Sequence, residues 1–269
     1  LTESIKRDKE YFSEFMEWLG ISFEEALKIS KSVDEIKEWK NKKDIYDFHK
    51  NSYYFIFTLL DWEKTTKSVY TDTICDFINK WPHYKIKTVL DHGTGIGYDA
   101  IRIIEETGCD VYLNDLNSPH LAFAIWRLKK RNLFHKVKGI LIPTKDNPLP
   151  DFPMVDFTTS IAVIEHLEEP QRDLKFILDR TKYMSIRVDP VVDNEDGASS
   201  THIEKHKKYL ERLNGQDKQL LAELGLKRIN YLMPVIYEVE RNVEPEYKMT
   251  TRNITGDPNS TTFEYIWTK

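Results

Sequence analysis

Three glycines at alternate positions follow an apolar run and an acid in Thr88-Val89-Leu90-Asp91-His92-Gly93-Thr94-Gly95-Ile96-Gly97. Such residues can hold a ligand against the main chain. Glycine lets the backbone turn sharply and lets a ligand approach where a Cβ would clash. Amides at the start of the following helix face any carboxylate or phosphate placed there. The spacing, Asp-x-Gly-x-Gly-x-Gly, differs from the Gly-x-Gly-x-x-Gly fingerprint of nucleotide-phosphate loops. A second acid, Asp115, closes the run Val111-Tyr112-Leu113-Asn114-Asp115. A carboxylate beyond the end of a strand can accept both hydroxyls of a ribose. A third segment, Val155 to Leu167, passes through Ser160-Ile161-Ala162-Val163 and ends in an acid and a histidine, Glu165-His166, that open a helix. His166 is a candidate general base, because a free imidazole titrates near neutrality. Asp189 and His202 are further candidate bases or substrate contacts, and each also suits a turn or a helix start.

The elements that must position these residues are legible as periodicities. Short apolar runs predict five strands at Lys87–His92, Asp110–Asn114, Val137–Ile142, Val155–Ile161 and Tyr183–Val188. Helical patterns fit between them at 98–107, 118–131 and 168–181, which is a βαβ alternation. Ser118 followed by Pro119 is a helix start. A helix pair is expected over 202–224, then two β-rich runs, Lys227–Glu238 and Thr261–Lys269, as the closing strands. The polar stretch 239–260 between them reads as a surface insertion. Ahead of the first strand the chain is helical. Tyr11, Phe12, Phe15, Met16 and Leu19 recur at helical spacing before Gly20, and Ser22 with Glu25 forms a capping-box pattern. Tyr46, Phe48, Tyr53, Tyr54, Phe57 and Trp62 form an aromatic stretch suited to an interface or a lid.

The glycine loop, Asp115 and the Ile164-Glu165-His166-Leu167 segment together resemble the class I S-adenosylmethionine-dependent methyltransferase superfamily over about residues 66–269. That resemblance implies an α/β, Rossmann-like seven-stranded sheet, last strand antiparallel, flanked by helices. It would carry an N-terminal helical cap at 1–65. It also implies S-adenosyl-L-methionine as cofactor. Asp91, Gly93, Thr94, Gly95 and Gly97 would lie beneath its methionine part, and Asp115 with Leu116 at its ribose. Asp146 is the nearest polar residue for its adenine, although Pro143-Thr144-Lys145-Asp146 departs from the family's acid placement. Ser160 and Ile161 would close the set. RNA 3′-end 2′-O-methyltransferases bind a metal through Glu-x-x-Glu-His and a later histidine. Here Ala162 replaces the first acid, so no metal is expected at Glu165, His166 and His202. The Asn-Pro-Pro-Tyr or Asp-Pro-Pro-Tyr turn used for methylating base amino groups is not found after Ile161.

Charge and composition narrow the partners. The 269 residues carry a net charge of −5, with 40% hydrophobic and 31% charged residues. A protein that grips a phosphate backbone usually has a basic excess, so nucleic acid is not expected. The basic run Lys129-Lys130-Arg131 reads as a solvated helix face. No apolar run reaches the ~20 residues of a membrane span. Two cysteines, Cys75 and Cys109, make no disulfide framework, and a cytoplasmic setting is the expectation. The reading is a small-molecule methyltransferase. Its alternatives are an RNA-end methyltransferase, an NAD oxidoreductase, and a non-catalytic protein that keeps the fold for binding.

Overall fold

Helices separate the first five strands along the chain except the third and fourth, and the first, second and fourth strands are buried enough to read as apolar runs rather than as alternating ones. The computed structural model describes residues 12–30, 53–63, 68–188, 206–229, 234–240, 248–253 and 263–268. Asp189, His202, Tyr46 and Phe48 lie outside the described residues. The strands are β1 (Thr88–His92), β2 (Asp110–Asn114), β3 (Val137–Leu141), β4 (Val155–Ile161), β5 (Thr181–Arg187), β6 (Leu226–Arg228) and β7 (Val235–Val239). They form one sheet in the order β3-β2-β1-β4-β5-β7-β6. Strands β1 to β5 pair in parallel. Strand β7 runs antiparallel to both β5 and β6. This is the sheet order of class I methyltransferases, with the antiparallel strand inserted last.

One expectation is corrected. The closing pair of the sheet does not come from the two β-rich runs. The run 227–238 supplies most of both β6 and β7. The run beginning at 261 supplies β9 (Phe263–Thr268), which pairs antiparallel with β8 (Lys248–Asn253) in a separate two-stranded sheet. Strand β8 falls inside the stretch read as a surface insertion. The apolar pattern of 227–238 spans more residues than one strand uses, and periodicity alone does not show where such a run folds back on itself.

The helices are α1 (Ser13–Leu19), α2 (Phe23–Ser30), α3 (Tyr54–Trp62), α4 (Ser68–Lys80), α5 (Tyr98–Thr107), α6 (Pro119–Lys130), α7 (Pro170–Leu178), α8 (Lys207–Asn214) and α9 (Lys218–Glu223). Alternate residues of each strand feed two core layers. Leu90, Tyr112, Met184 and Ile186 pack with α7, α8 and α9. Val89, Val111, Leu113 and Phe157 pack with α4, α5 and α6. Local chemistry fixes several ends. Gly20 ends α1 with φ 65°. The Ser22 and Glu25 pair is a capping box: the Ser22 amide donates to Glu25 Oε2 at 2.8 Å, and the Glu25 amide to Ser22 Oγ at 3.2 Å. The Leu121 amide donates to Ser118 Oγ at 3.4 Å, with Pro119 opening α6.

The N-terminal helices form a third apolar cluster. Phe15, Ala26, Ile56, Phe57 and Leu60 pack on Ile96 of the glycine loop and Phe123 of α6. Fully burying such side chains contributes roughly 1.5–3 kcal/mol each. The cap therefore docks at the glycine loop. In the basic run at the end of α6, Lys129 and Lys130 are exposed as a solvated face would be, and Lys130 pairs with Glu17 and Arg131 with Glu14, both on α1.

Candidate functional site

The glycine loop leaves β1 at the carboxyl edge of the sheet and is pinned from below. The amides of Gly93 and Thr94 donate to Asn114 O, at 2.8 and 3.1 Å. Thr94 is fully buried; its hydroxyl donates to Asp91 O at 3.0 Å and accepts from the Asn114 amide at 3.1 Å. Thr94 thus staples β1 to β2 instead of facing outward. Gly93, Gly95 and Gly97 all have positive φ, at 76°, 55° and 79°, which side chains other than glycine's rarely adopt. Two of them also need the space. A Cβ on Gly93 would lie 2.1 Å from Val163 Cγ2, and one on Gly97 would lie 2.9 Å from Ala124 Cβ. Those glycines let β4's exit and α6 approach the loop. At Gly95 the nearest atom would be Leu59 Cδ1 of α3, at 3.4 Å.

Asp115, half-buried just past β2, bridges to that loop. Its Oδ2 accepts from the Gly95 amide at 2.5 Å and its Oδ1 from the Leu116 amide at 2.7 Å. A carboxylate has roughly four acceptor sites, and these two bonds fix the orientation of this one. Asp91 is buried, and in register beside it lie Thr159 of β4 and Ser185 of β5. The hydroxyls of Thr159 and Ser185 have no hydrogen-bond partner among the described residues. On the opposite face, His92 Nδ1 lies 3.0 Å from Ser160 Oγ, both buried. Burial lowers the His92 pKa to about 4, so its imidazole is neutral at physiological pH.

At the exit of β4 the chain turns through Ala162, whose φ is 56°. Glu165 and His166 do not open an α-helix. They lie in a single 3-10 turn, Ile164–His166, and α7 begins only at Pro170. Glu165 is fully buried and His166 is half-buried. His206 Nε2 donates to Glu168 O at 2.7 Å, which ties the segment entering α8 to this turn. Ile161 is buried at the end of β4. Asp146 is exposed, within a turn closed by the Thr144 amide donating to Asn147 O at 3.0 Å, beyond the edge strand β3.

Helix α3 crosses above these strand ends. Phe55 stacks near His120 at the start of α6, with centroids 5.4 Å apart. Leu59 lies over Gly95. Trp62 lies 5.7 Å from the Arg187 guanidinium at the end of β5, and Tyr70 of α4 lies 4.4 Å from it. Glu63, just past α3, joins Arg127 of α6. Leu59, Arg127 and Arg187 were not singled out by the sequence. Arg127 had a readable signal: it occupies the apolar phase of α6, after Phe123 and Ala124 and before Leu128. A buried-phase arginine needs partners, which the cap supplies.

Among the described residues, no group of three or more His, Cys, Asp or Glu side chains could hold a metal ion, and no helix is long and apolar enough to cross a membrane. The donor set does fit S-adenosylmethionine. An oriented carboxylate stands beside a glycine-lined loop at the carboxyl edge, where open α/β sheets take their ligands.

No protein-family model and no curated protein matches the chain. Solved structures similar to it in fold include S-adenosylmethionine-dependent methyltransferases. One such enzyme from Aquifex aeolicus has 18% identity and a TM-score of 0.48, covering 69% of this chain and 98% of its own. Mitomycin 7-O-methyltransferase has 16% identity and a TM-score of 0.46, covering 76% and 59%. N,N-8-amino-8-demethyl-D-riboflavin dimethyltransferase from Streptomyces davawensis has 16% identity and a TM-score of 0.45, covering 76% and 60%.

Proposed function

We propose that this chain is an S-adenosylmethionine-dependent methyltransferase acting on a small molecule, with residues 1–65 capping the domain formed by 66–269. The observation that carries the reading is the Asp115 carboxylate, held by the Gly95 amide at the carboxyl edge of a sheet ordered β3-β2-β1-β4-β5-β7-β6. When bound, the cofactor supplies a methyl group already activated on a sulfonium. The protein's work is then alignment and water exclusion.

Asp115 accepts the ribose hydroxyls, with the Leu116 backbone beside it. Gly93, Gly95 and Gly97 bring the main chain close to the methionine part, while Asp91 and Thr94 fix the loop from below. Ser160 and Ile161 close the floor, and Asp146 stands on the adenine side. Helix α3 excludes water through Leu59 and Trp62. His166, in the turn after β4, is the base for an acceptor that starts protonated, and Asp189 and His202 are the other candidates. The acidic net charge of −5 favours a small acceptor over a nucleic acid.

The test is transfer of a labelled methyl group from S-adenosylmethionine to a panel of phenols, amines, thiols and carboxylic acids. RNA and protein acceptors run alongside. Saturable labelling of a small molecule, reduced by His166→Ala, is the expected result. Labelling confined to RNA and abolished by a chelator would replace this reading with the RNA-end one.

A further inference from the structure

Arg127 is 3% exposed, yet it is a full positive charge in the last turn of α6. Its Nε–H donates to Glu14 Oε2 at 2.9 Å, on α1 of the cap. Its two terminal nitrogens donate to Glu63 as a fork, at 2.9 and 2.8 Å. One of those nitrogens also donates to Ile96 O at 2.9 Å. Ile96 lies between Gly95, whose amide is on Asp115, and Gly97, which packs on Ala124 of the same helix. Helix α3 ends beside Glu63 and returns to the loop through Leu59, which sits over Gly95. The contacts close a ring: Gly95, Ile96, Arg127, Glu63, α3, Leu59, and Gly95 again.

We infer that Arg127 is a positioning residue that couples the seating of the cap to occupancy of the glycine loop. This rests on the cofactor reading above. Arg127 need not touch the cofactor. It holds the loop carbonyl and both cap carboxylates with one rigid guanidinium, so the cap cannot shift on α6 without disturbing Ile96. Lysine could not do this, because a single ammonium lacks the planar fork. Coupling between two sites is reciprocal. A ligand that orders the loop tightens the cap, and a seated cap tightens the ligand. Burial opposes the charge on Arg127, and Glu63 and Glu14 more than offset it. Glu14 in turn is held ionised against its own burial by Arg127 and Arg131. The junction is therefore complete only when the cap is down.

The experiment uses the full chain with S-adenosylhomocysteine as probe. Affinity is measured by calorimetry, and amide hydrogen exchange is followed across residues 54–62. Arg127→Met, Glu63→Gln and the double variant are compared with the wild type. Each single variant is expected to bind about five- to tenfold more weakly. The double variant should lose little more than the worse single one, because both break the same junction. In the wild type the probe should slow exchange in α3; in the variants that response should vanish. Folded variants that bind like the wild type overturn the inference. So do variants whose α3 still responds to the probe, since Arg127 would then be a structural ion pair alone. If Arg127→Met does not fold, Glu63→Gln carries the test, because it leaves the bond to Ile96 intact. A wild type that binds no probe overturns the cofactor reading itself, and the inference with it.

Discussion

Asp115 is the residue on which the cofactor assignment turns, and the geometry decides how it should be altered. Its carboxylate supports the loop through the Gly95 and Leu116 amides, so Asp115→Ala would remove that support together with the proposed ribose contact. Asp115→Asn keeps an acceptor for the Gly95 amide, but it loses the charge and sets its NH2 against the Leu116 amide. Loss of charge-assisted bonds to ribose should cost roughly 1.5–3 kcal/mol, on the order of ten- to a hundredfold in affinity, and the lost bond from the Leu116 amide should lower the unfolding midpoint separately. Calorimetry and urea denaturation on the same sample separate the two effects. His92 gives a pH prediction. Its folded pKa of about 4 lies below the ordinary imidazole value of 6.5, so the unfolded chain takes up the proton first as the pH falls. Its contribution is complete above pH 6.5 and is lost progressively down to pH 4. At about pH 5 the loss due to this residue is about 2 kcal/mol. The wild type should therefore lose more stability than His92→Asn between about pH 7 and pH 5 in urea titrations. At this scale the sequence shows what residue type makes plain. Asp115 is legible because an acid after a strand has few other uses beside a glycine loop. Arg127 is not, because its partners Glu14 and Glu63 are far away in the chain.

At the scale of elements, the glycine pattern reads as a ligand loop, and two of its glycines answer to the protein's own packing. That gives an ordering. Gly95→Ala meets only Leu59 Cδ1 at 3.4 Å, so its cost is the left-handed backbone, about 1–2 kcal/mol. Gly97→Ala meets the same strain and also Ala124 at 2.9 Å, which adds about 1–3 kcal/mol of overpacking. Urea unfolding of the two variants should rank them in that order, and a reversed ranking would show that α6 yields easily. Strands β1 to β5 and helices α5 and α6 lie within a residue or two of their expected positions, because buried parallel strands and capped helices leave strong local patterns. The ends of the sheet were misread for a physical reason. Strands β6 and β7 are three and five residues long, and they share one apolar run. Strands β8 and β9 have β propensity but pair with each other. Propensity specifies a strand, not its neighbour.

At the scale of the molecule, the fold places three features at one edge: the glycine loop, the acid after β2, and a helix of the cap laid across them. The cap is joined to the core by apolar burial around Phe15, Phe57 and Phe123 and by acids on α1 meeting bases on α6. Aromatic residues before Trp62 announced an interface, but not which face of the sheet it would cover, because that depends on distant partners. Cys75 and Cys109 are both buried and free, so neither crosslinks cap to core. The most direct measurement of the central claim is calorimetric titration of the full chain with S-adenosylhomocysteine and, separately, with NAD. The account predicts saturable binding of S-adenosylhomocysteine, weakened in Asp115→Asn, a rise in thermal stability that follows from it, and no heat from NAD. Binding of NAD by a folded chain that ignores S-adenosylhomocysteine would contradict it.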